Sequence, residues 1–362
     1  MNAHTVISKL LLLVLVLLCG ETVSISQAQA QICVSTSKQF QDALDSASDG
    51  GANSGTDVRI LLTKGTFKIG AATSNGPFKF HSTSTTSQIV LVGGFDPTCT
   101  TSSNNAADTI VDGNNSSQVL NLISKSGSIS LYGLTIQNGN TDQQGGGLSI
   151  NASPNTGTNV SIFDCIIRNN HSSANGGGIA AYSVGTSTAS FDFVSNAVYG
   201  NSSDTTYGAG LLAFNGDVIS VFNNTVYGNT AAANNAVGGL GCCGSASFAV
   251  QVTANIFWQN TNYGIDLYGS PVSFEYNDYG TLSGNVPSDD FGSLTVDPKF
   301  VNAAAGDLRL GQGSPLIGYV PMNGSFGDTD DVEGYSRNAG APSDPGAYAE
   351  TIFADQFGGF GN

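Results

Sequence analysis

The sequence predicts an all-β solenoid, a parallel β-helix with a short capping helix at its N-terminus, and three observations carry that expectation. Between residues 134 and 268 one phrase recurs: Ile136-Gln137-Asn138-Gly139, Ile167-Arg168-Asn169-Asn170, Val198-Tyr199-Gly200-Asn201, Val226-Tyr227-Gly228-Asn229 and Phe257-Trp258-Gln259-Asn260. Its first residue returns at intervals of 31, 31, 28 and 31 residues, and a fixed period in this range marks a stacked repeat. Each phrase leads to a glycine-rich step into a second apolar run, as in Gly145-Gly146-Gly147-Leu148, Gly176-Gly177-Gly178-Ile179 and Gly208-Ala209-Gly210-Leu211. A third run lies between repeats, at 160–163, 190–193, 218–222, 248–252 and 272–274. Each turn therefore reads as three short strands.

The chain opens with an export signal. Lys9 precedes the apolar run 10–18, and Ala28-Gln29-Ala30 supplies a small-x-small cleavage pattern, so residues 1–30 read as a signal peptide. That run is too short to span a membrane. Cys19 invites comparison with a lipidated cysteine, but bulky Leu18 stands where such a signal needs a small residue. The mature chain would begin at Gln31, lose one Lys and one Glu, and keep the net charge of -16. An acidic surface argues against nucleic acid or an acidic polymer as partner, since either needs basic neutralisation. Apolar residues make up 40% of the chain and are periodic, so the low charge content does not mean disorder.

Residues 31–112 read as an entry segment that starts the stack. Ser37–Ala47 places Phe40 and Leu44 at helical spacing behind Ser37 as N-cap, which predicts a short amphipathic helix lying over the first open rung. Residues 58–62, 65–69 and 88–93 read as strands between Gly, Ser and Thr turns.

Residues 113–284 are the repeats proper. Alternation points Leu134, Cys165, Asn196, Asn224 and Asn255 inward together with Ile136, Ile167, Val198, Val226 and Phe257. Asn in such a column can pass amide hydrogen bonds from turn to turn, and Asn170, Asn201, Asn229 and Asn260 would form a second column. The glycine triplets suit tight corners. An anion-binding loop would need a helix start and basic neighbours, and neither follows them.

A resemblance becomes visible in the entry segment. Cys33, the Gln41-Asp42-Ala43-Leu44 helix, Lys64-Gly65-Thr66-Phe67, Val92-Gly93-Gly94-Phe95 ending at Cys99, and Thr109-Ile110-Val111-Asp112-Gly113-Asn114 resemble the start of bacterial right-handed parallel β-helix proteins of the pectin-lyase-like superfamily. The resemblance implies a Cys33–Cys99 disulfide, and an oxidising compartment would favour it. Beyond residue 285, five ordered motifs resemble the C-terminal region of secreted choice-of-anchor Q proteins. They are Val296-Asp297-Pro298-Lys299-Phe300-Val301, Gly306-Asp307-Leu308-Arg309-Leu310, Gly313-Ser314-Pro315-Leu316-Ile317-Gly318, Asp331-Val332-Glu333-Gly334-Tyr335-Ser336-Arg337 and Asp344-Pro345-Gly346-Ala347-Tyr348. Pro345 and Ala349 depart from that pattern. Residues 285–350 thus read as a closing region and 351–362 as a tail offering the last rung a cover, with Arg337 clasped by Asp331 and Asp344.

Two functional classes remain. Tyr199, Tyr227 and Trp258 occupy one outward position on three successive turns and would offer ring faces to a polysaccharide or cell-surface glycan, unless a neighbouring loop covers them or they serve as structural stacks. This predicts a non-catalytic secreted or cell-surface protein for adhesion or glycan binding. The alternative is a polysaccharide lyase, which needs clustered carboxylates and a basic residue. The repeats supply Asp142, Asp164, Asp192, Asp204, Asp217 and Asp266 with Lys125 and Arg168, Asp164 and Asp192 being the pair expected on adjacent turns. The hydrolase signatures of the resembled superfamily are missing, and His81 and His171 read as exposed structural residues. Asp328, Asp330, Asp331 and Glu333 near Asp344 make a carboxylate-rich turn in which Ca²⁺ is a candidate guest, although Val332 breaks the EF-hand spacing. No other cofactor is implied. Cys242 and Cys243 are neighbours that either point to opposite faces or close a vicinal disulfide, and Cys165 lies too far along the stack to pair with Cys242.

Overall fold

The computed structural model describes residues 30–349 apart from 84–86, 126, 153–157, 184–188, 217, 233, 235, 243–248, 268–271, 285–286, 288–289, 322–329 and 338–341. The expected leader up to residue 29 and the tail therefore lie outside the described residues. Within them the chain coils as an all-β parallel solenoid of about seven turns. Each full turn adds one strand to each of three parallel sheets. Sheet 1 has ten strands, including Ile129–Tyr132, Asn159–Phe163 and Ser190–Val194. Sheet 2 has eight, including Ile166–Arg168, Ala197–Tyr199, Thr225–Tyr227 and Ile256–Trp258. Sheet 3 has eight, including Leu148–Ala152, Ile179–Ser183, Leu211–Phe214 and Val237–Cys242. A fourth ladder of two-residue strands, such as His171–Ser172 over Ser202–Ser203, follows sheet 2 and was not anticipated from the repeat.

Strands pair with the same residues the phrases align. Ile167 lies beside Ile136 and Val198, and Val226 beside Phe257. Every member of both inward columns is buried at 0–1% exposure, so like packs over like through the stack.

Two asparagine ladders run through the corners. At the corner between sheets 1 and 2, Asn196 Oδ1 accepts from Cys165 N, Asn224 Oδ1 from Asn196 N and Nδ2, and Asn255 Oδ1 from Asn224 N and Nδ2. Asn277 extends this ladder by one turn. At the corner before sheet 3, Asn170, Asn201, Asn229 and Asn260 repeat the arrangement with distances of 2.9–3.0 Å. Each internal amide also donates to a main-chain carbonyl of the preceding turn, as Asn201 Nδ2 does to Ile167 O at 2.9 Å. The glycine step makes room for this: a Cβ on Gly178 would stand 2.5 Å from Gly210 O and 3.0 Å from Asn201 Cγ.

The N-terminal helix α1, Ser37–Ala47, turns Phe40, Ala43, Leu44 and Ala47 into the core, with the Phe40 ring 4.7 Å from that of Phe78. Its N-cap is Thr36 rather than the expected Ser37. Thr36 accepts from Gln39 N, while Ser37 Oγ accepts from Lys68 N at 2.8 Å. Gln41 exchanges hydrogen bonds with Lys79 N and O, and Ser48 Oγ accepts from His81 N. The helix thus satisfies the otherwise open first strand of sheet 3, Phe78–Ser82. Cys33 and Cys99 form the expected disulfide.

The closing region departs from expectation. It was expected at the end of the stack, but it runs as a strap along the outer face of sheet 2. Leu308, Val332, Ala347 and Tyr348 cluster with Ala106, Ile166, Ala197, Tyr199 and Tyr227, and Leu310 and Leu316 cluster with Ile256 and Trp258. Hydrogen bonds from main-chain N–H groups fix it: Ala347 N donates to the Thr225 hydroxyl Oγ1, Gly346 N to Ala254 O, and Ala106 N to Val332 O. The physical reason is that sheet 2 carries apolar residues outward as well as inward, so this face needs a cover.

Replacing one ladder rung tests the corner account. Asn201→Leu keeps similar bulk but removes every amide bond of that rung, and we expect a loss of about 3 kcal/mol in chemical denaturation. A cost under about 1 kcal/mol would show that the ladder is ornamental.

Candidate functional site

Among the described residues, concave surfaces lie on two different faces. The larger is a groove of about 770 Å³ on the outer face of sheet 3. Its floor is one outward column, Asn121, Ser149, Ala180, Leu212, Gly241 and Asp266, which pair in succession turn by turn. At about 4.8 Å per turn the column spans about 24 Å along the axis. Its central side chains are small or aliphatic, which keeps the floor low. One wall is the next outward column, where Asn151 pairs with Tyr182 and Tyr182 with Phe214. The other wall comes from the turns before sheet 3 and includes Gln143, Gln144, Asn175 and Tyr207. Tyr207 is 49% and Phe214 42% exposed, unusually open for large rings. Gln118 holds the end of the groove, donating to the carbonyls of Gln144 and Gly145 and accepting from Asn121 Nδ2. The one charged lining residue is Asp266, whose carboxyl is pushed up by burial.

The smaller surface is a pocket of about 520 Å³ at the outer face of sheet 1, where the strap crosses the early turns. Arg59, Val90, Val92 and Tyr132 come from sheet 1, Asp164 from the turn after Asn159–Phe163, and Asp330 from the strap. Asn104 Nδ2 donates to Asp330 Oδ2 at 3.1 Å, and Ser336 Oγ donates to Asp330 Oδ1 at 2.6 Å. Arg59 Nε and Asp164 Oδ1 are buried without a hydrogen-bond partner. Desolvation first, then the nearby Asp330 carboxylate, pushes the Asp164 carboxyl up to about 8, against the pull of Arg337. Asp164 also holds a left-handed backbone, φ 52°.

The aromatic stripe read from the sequence lies under a neighbouring segment, the alternative weighed against a free glycan-binding face. Tyr199, Tyr227 and Trp258 point outward and stack on adjacent turns as expected. Their faces are not free, because the strap covers them: Tyr227 meets the Phe300 ring edge-on at 5.5 Å, and Tyr199 and Trp258 pack within the strap's two apolar clusters. Arg168 Nη1 donates to Tyr199 Oη and Nε to Gln137 Oε1, which ties Arg168 into sheet 2.

Among the described residues the lyase constellation is not assembled. Asp192 stands opposite Ser161 and Ser220, whereas Asp164 lies in the turn beyond that strand, so the two are not equivalents on adjacent turns. Asp142 and Lys125 are exposed. Asp204 lies 3.6 Å from His171 Nε2, and His171 Nδ1 meets Ser202 Oγ at 3.0 Å. His81 is exposed on the edge strand, and Asp217 lies outside the described residues.

The carboxylate-rich turn is occupied by its own backbone. Asp331 accepts from the N–H groups of Glu333, Tyr335 and Ala349, and Asp344 Oδ1 from Gly318 N. Buried Arg337 donates to the main-chain carbonyls of Asp344 and Gly346, and the Asp331 and Asp344 carboxylates favour its charge against desolvation. No group of three potential metal ligands occurs among the described residues, and Asp328 lies outside them. Cys242 is disulfide-bonded and Cys243 lies outside the described residues, while Cys165 is free and buried, its thiol pushed up to about 12 by desolvation. No helix among the described residues is long and apolar enough to cross a membrane.

No family model matches the chain, and neither a curated protein nor a solved structure matches it. The resemblance to choice-of-anchor Q proteins therefore rests on its motifs, and the structure agrees with it as far as the parallel β-solenoid.

Titration of Asp164 gives a direct check on the pocket. Its folded value of about 8 lies above the ordinary 3.8, so the native state holds this proton more tightly than the unfolded chain. The associated stability is fully present below about pH 4 and is lost as pH rises through about 8. Asp164→Asn cannot ionise and tolerates the left-handed backbone. Its advantage over the parent should grow between pH 4 and pH 8 by about 1 kcal/mol or more, read by denaturation at each pH. A difference independent of pH would return this carboxyl to the ordinary range.

Proposed function

We propose that this is an exported, non-catalytic binding protein whose groove on sheet 3 takes a neutral, unbranched glycan strand running along the solenoid axis. The observation that carries the reading is an elongated groove walled by open aromatic rings and amides, with no lysine or arginine and a single carboxyl in its lining. Rings offer flat apolar faces to the C–H surface of a sugar, and amides donate to and accept from its hydroxyls. The lack of basic groups and the net charge of -16 both favour a neutral polymer over an acidic one. Export agrees with the leader pattern, and the Cys33–Cys99 disulfide agrees with an oxidising compartment. Cell-surface attachment is part of the same proposal.

In a panel of soluble polysaccharides scored for retention and for unsaturated product, a neutral glycan should be retained and left intact. Tyr207→Ala and Phe214→Ala should each weaken retention about tenfold, near 1.4 kcal/mol, while Trp258→Ala, under the strap, should leave it unchanged. Unsaturated product from any polymer would overturn the non-catalytic reading. Loss of retention in Trp258→Ala alone would move the site to sheet 2.

A further inference from the structure

The pocket on sheet 1 is not used by the groove reading and does not depend on it. Its polar groups are unevenly committed. Both Asp330 oxygens already accept hydrogen bonds, from Ser336 and Asn104, whereas Arg59 Nε and Asp164 Oδ1 are buried and unpartnered. No ion pair joins Arg59 to Asp164 among the described residues. Buried polar atoms left unpaired are costly, so an unpaired donor and an unpaired acceptor in one cavity describe a place for something that supplies both.

We infer that this pocket is a second binding site that takes one neutral, polyhydroxylated ring, a single sugar unit or chain end, whose hydroxyls bridge Arg59 and Asp164. A hydroxyl both donates and accepts, so neighbouring hydroxyls on one ring can accept from the guanidinium and donate to the carboxyl oxygen. A carboxylate ligand would satisfy Arg59 but place a further negative charge beside Asp164 and Asp330. An ammonium would meet the carboxyls and leave Arg59 unpaired. The raised value of Asp164 agrees with a neutral guest, because the protonated carboxyl offers an O–H and a carbonyl oxygen instead of a charge. Val90 and Val92 supply an apolar floor for the ring's C–H face. Gly93 keeps the backbone there tight against the next turn, since a Cβ would stand 2.2 Å from Gly133 O. The size suits a small ligand, within the roughly 300–1,000 Å³ of ordinary ligand pockets.

The test uses the full mature chain with methyl glycosides of glucose, galactose, mannose and xylose, and with acetate and glycine as charged probes. Binding is read by saturation-transfer NMR and titration. At least one methyl glycoside should bind saturably, and Arg59→Gln should weaken it at least about tenfold, the loss expected for a charged donor. Val90→Phe, which fills the cavity without touching a polar group, should abolish it. Tyr207→Ala should leave it unchanged, which separates this site from the groove. Thermal unfolding near that of the parent confirms that each variant is folded, and if one does not fold the other decides. The proposal is overturned if no methyl glycoside binds, if binding survives in the folded variants, if Tyr207→Ala abolishes it, or if acetate or glycine binds in its place.

Discussion

The whole molecule depends on how main-chain groups are satisfied where a strand ends and the chain bends. Within a sheet each strand pairs with the turns above and below, but at a corner the ladder breaks and donors face inward. Here the two asparagine ladders take over. Each amide accepts from the preceding rung's main-chain N–H and donates to a carbonyl of the turn before, so the hydrogen bonding of the coil continues through the bend. This explains why the glycines are where they are. A Cβ at Gly147, Gly178 or Gly210 would lie 2.7–3.0 Å from an asparagine of the ladder, so the glycine step and the Asn column form one device.

From that device the faces of the solenoid acquire different fates. Sheet 2 presents Ile166, Ala197, Tyr199, Tyr227 and Trp258 outward, and the chain's own strap covers them. Sheet 3 has the smaller Ser149, Ala180 and Gly241 at the outward positions flanking its walls, so it stays concave and open. The strap has a second consequence at sheet 1. By carrying Asp330 and the buried Arg337 up to the turn of Asp164, it forms a polar pocket out of groups far apart in sequence.

Much of this was legible beforehand for a physical reason: a solenoid repeats, and repetition exposes which positions must be alike. The period gave the turns, alternation gave the inward columns, and the Asn and Gly positions are borne out by the ladders. The cap shifted by one residue because Ser37 is drawn to Lys68 N, a contact no local pattern shows. The open aromatics were missed although a signal exists. Superposing the glycine steps places Asn151, Tyr182 and Phe214 in one column, six residues after Gly145, Gly176 and Gly208. The Tyr199, Tyr227 and Trp258 stripe drew attention because it is more regular. That regularity suits a face built to receive one extended segment of the same chain.

Arg59 illustrates the limit of such reading. It lies in the entry segment, outside the repeats, and nothing in its neighbourhood marks it. Its neighbours in the pocket lining include Asp164, a turn residue far along the chain, and Asp330, a strap residue later still. A stack makes neighbours of residues one period apart, and those are predictable from spacing. A strap makes neighbours of residues that share no period, and only packing decides them. At the sheet 1 pocket strap and stack meet, and there a change in one segment does not have to propagate along a column.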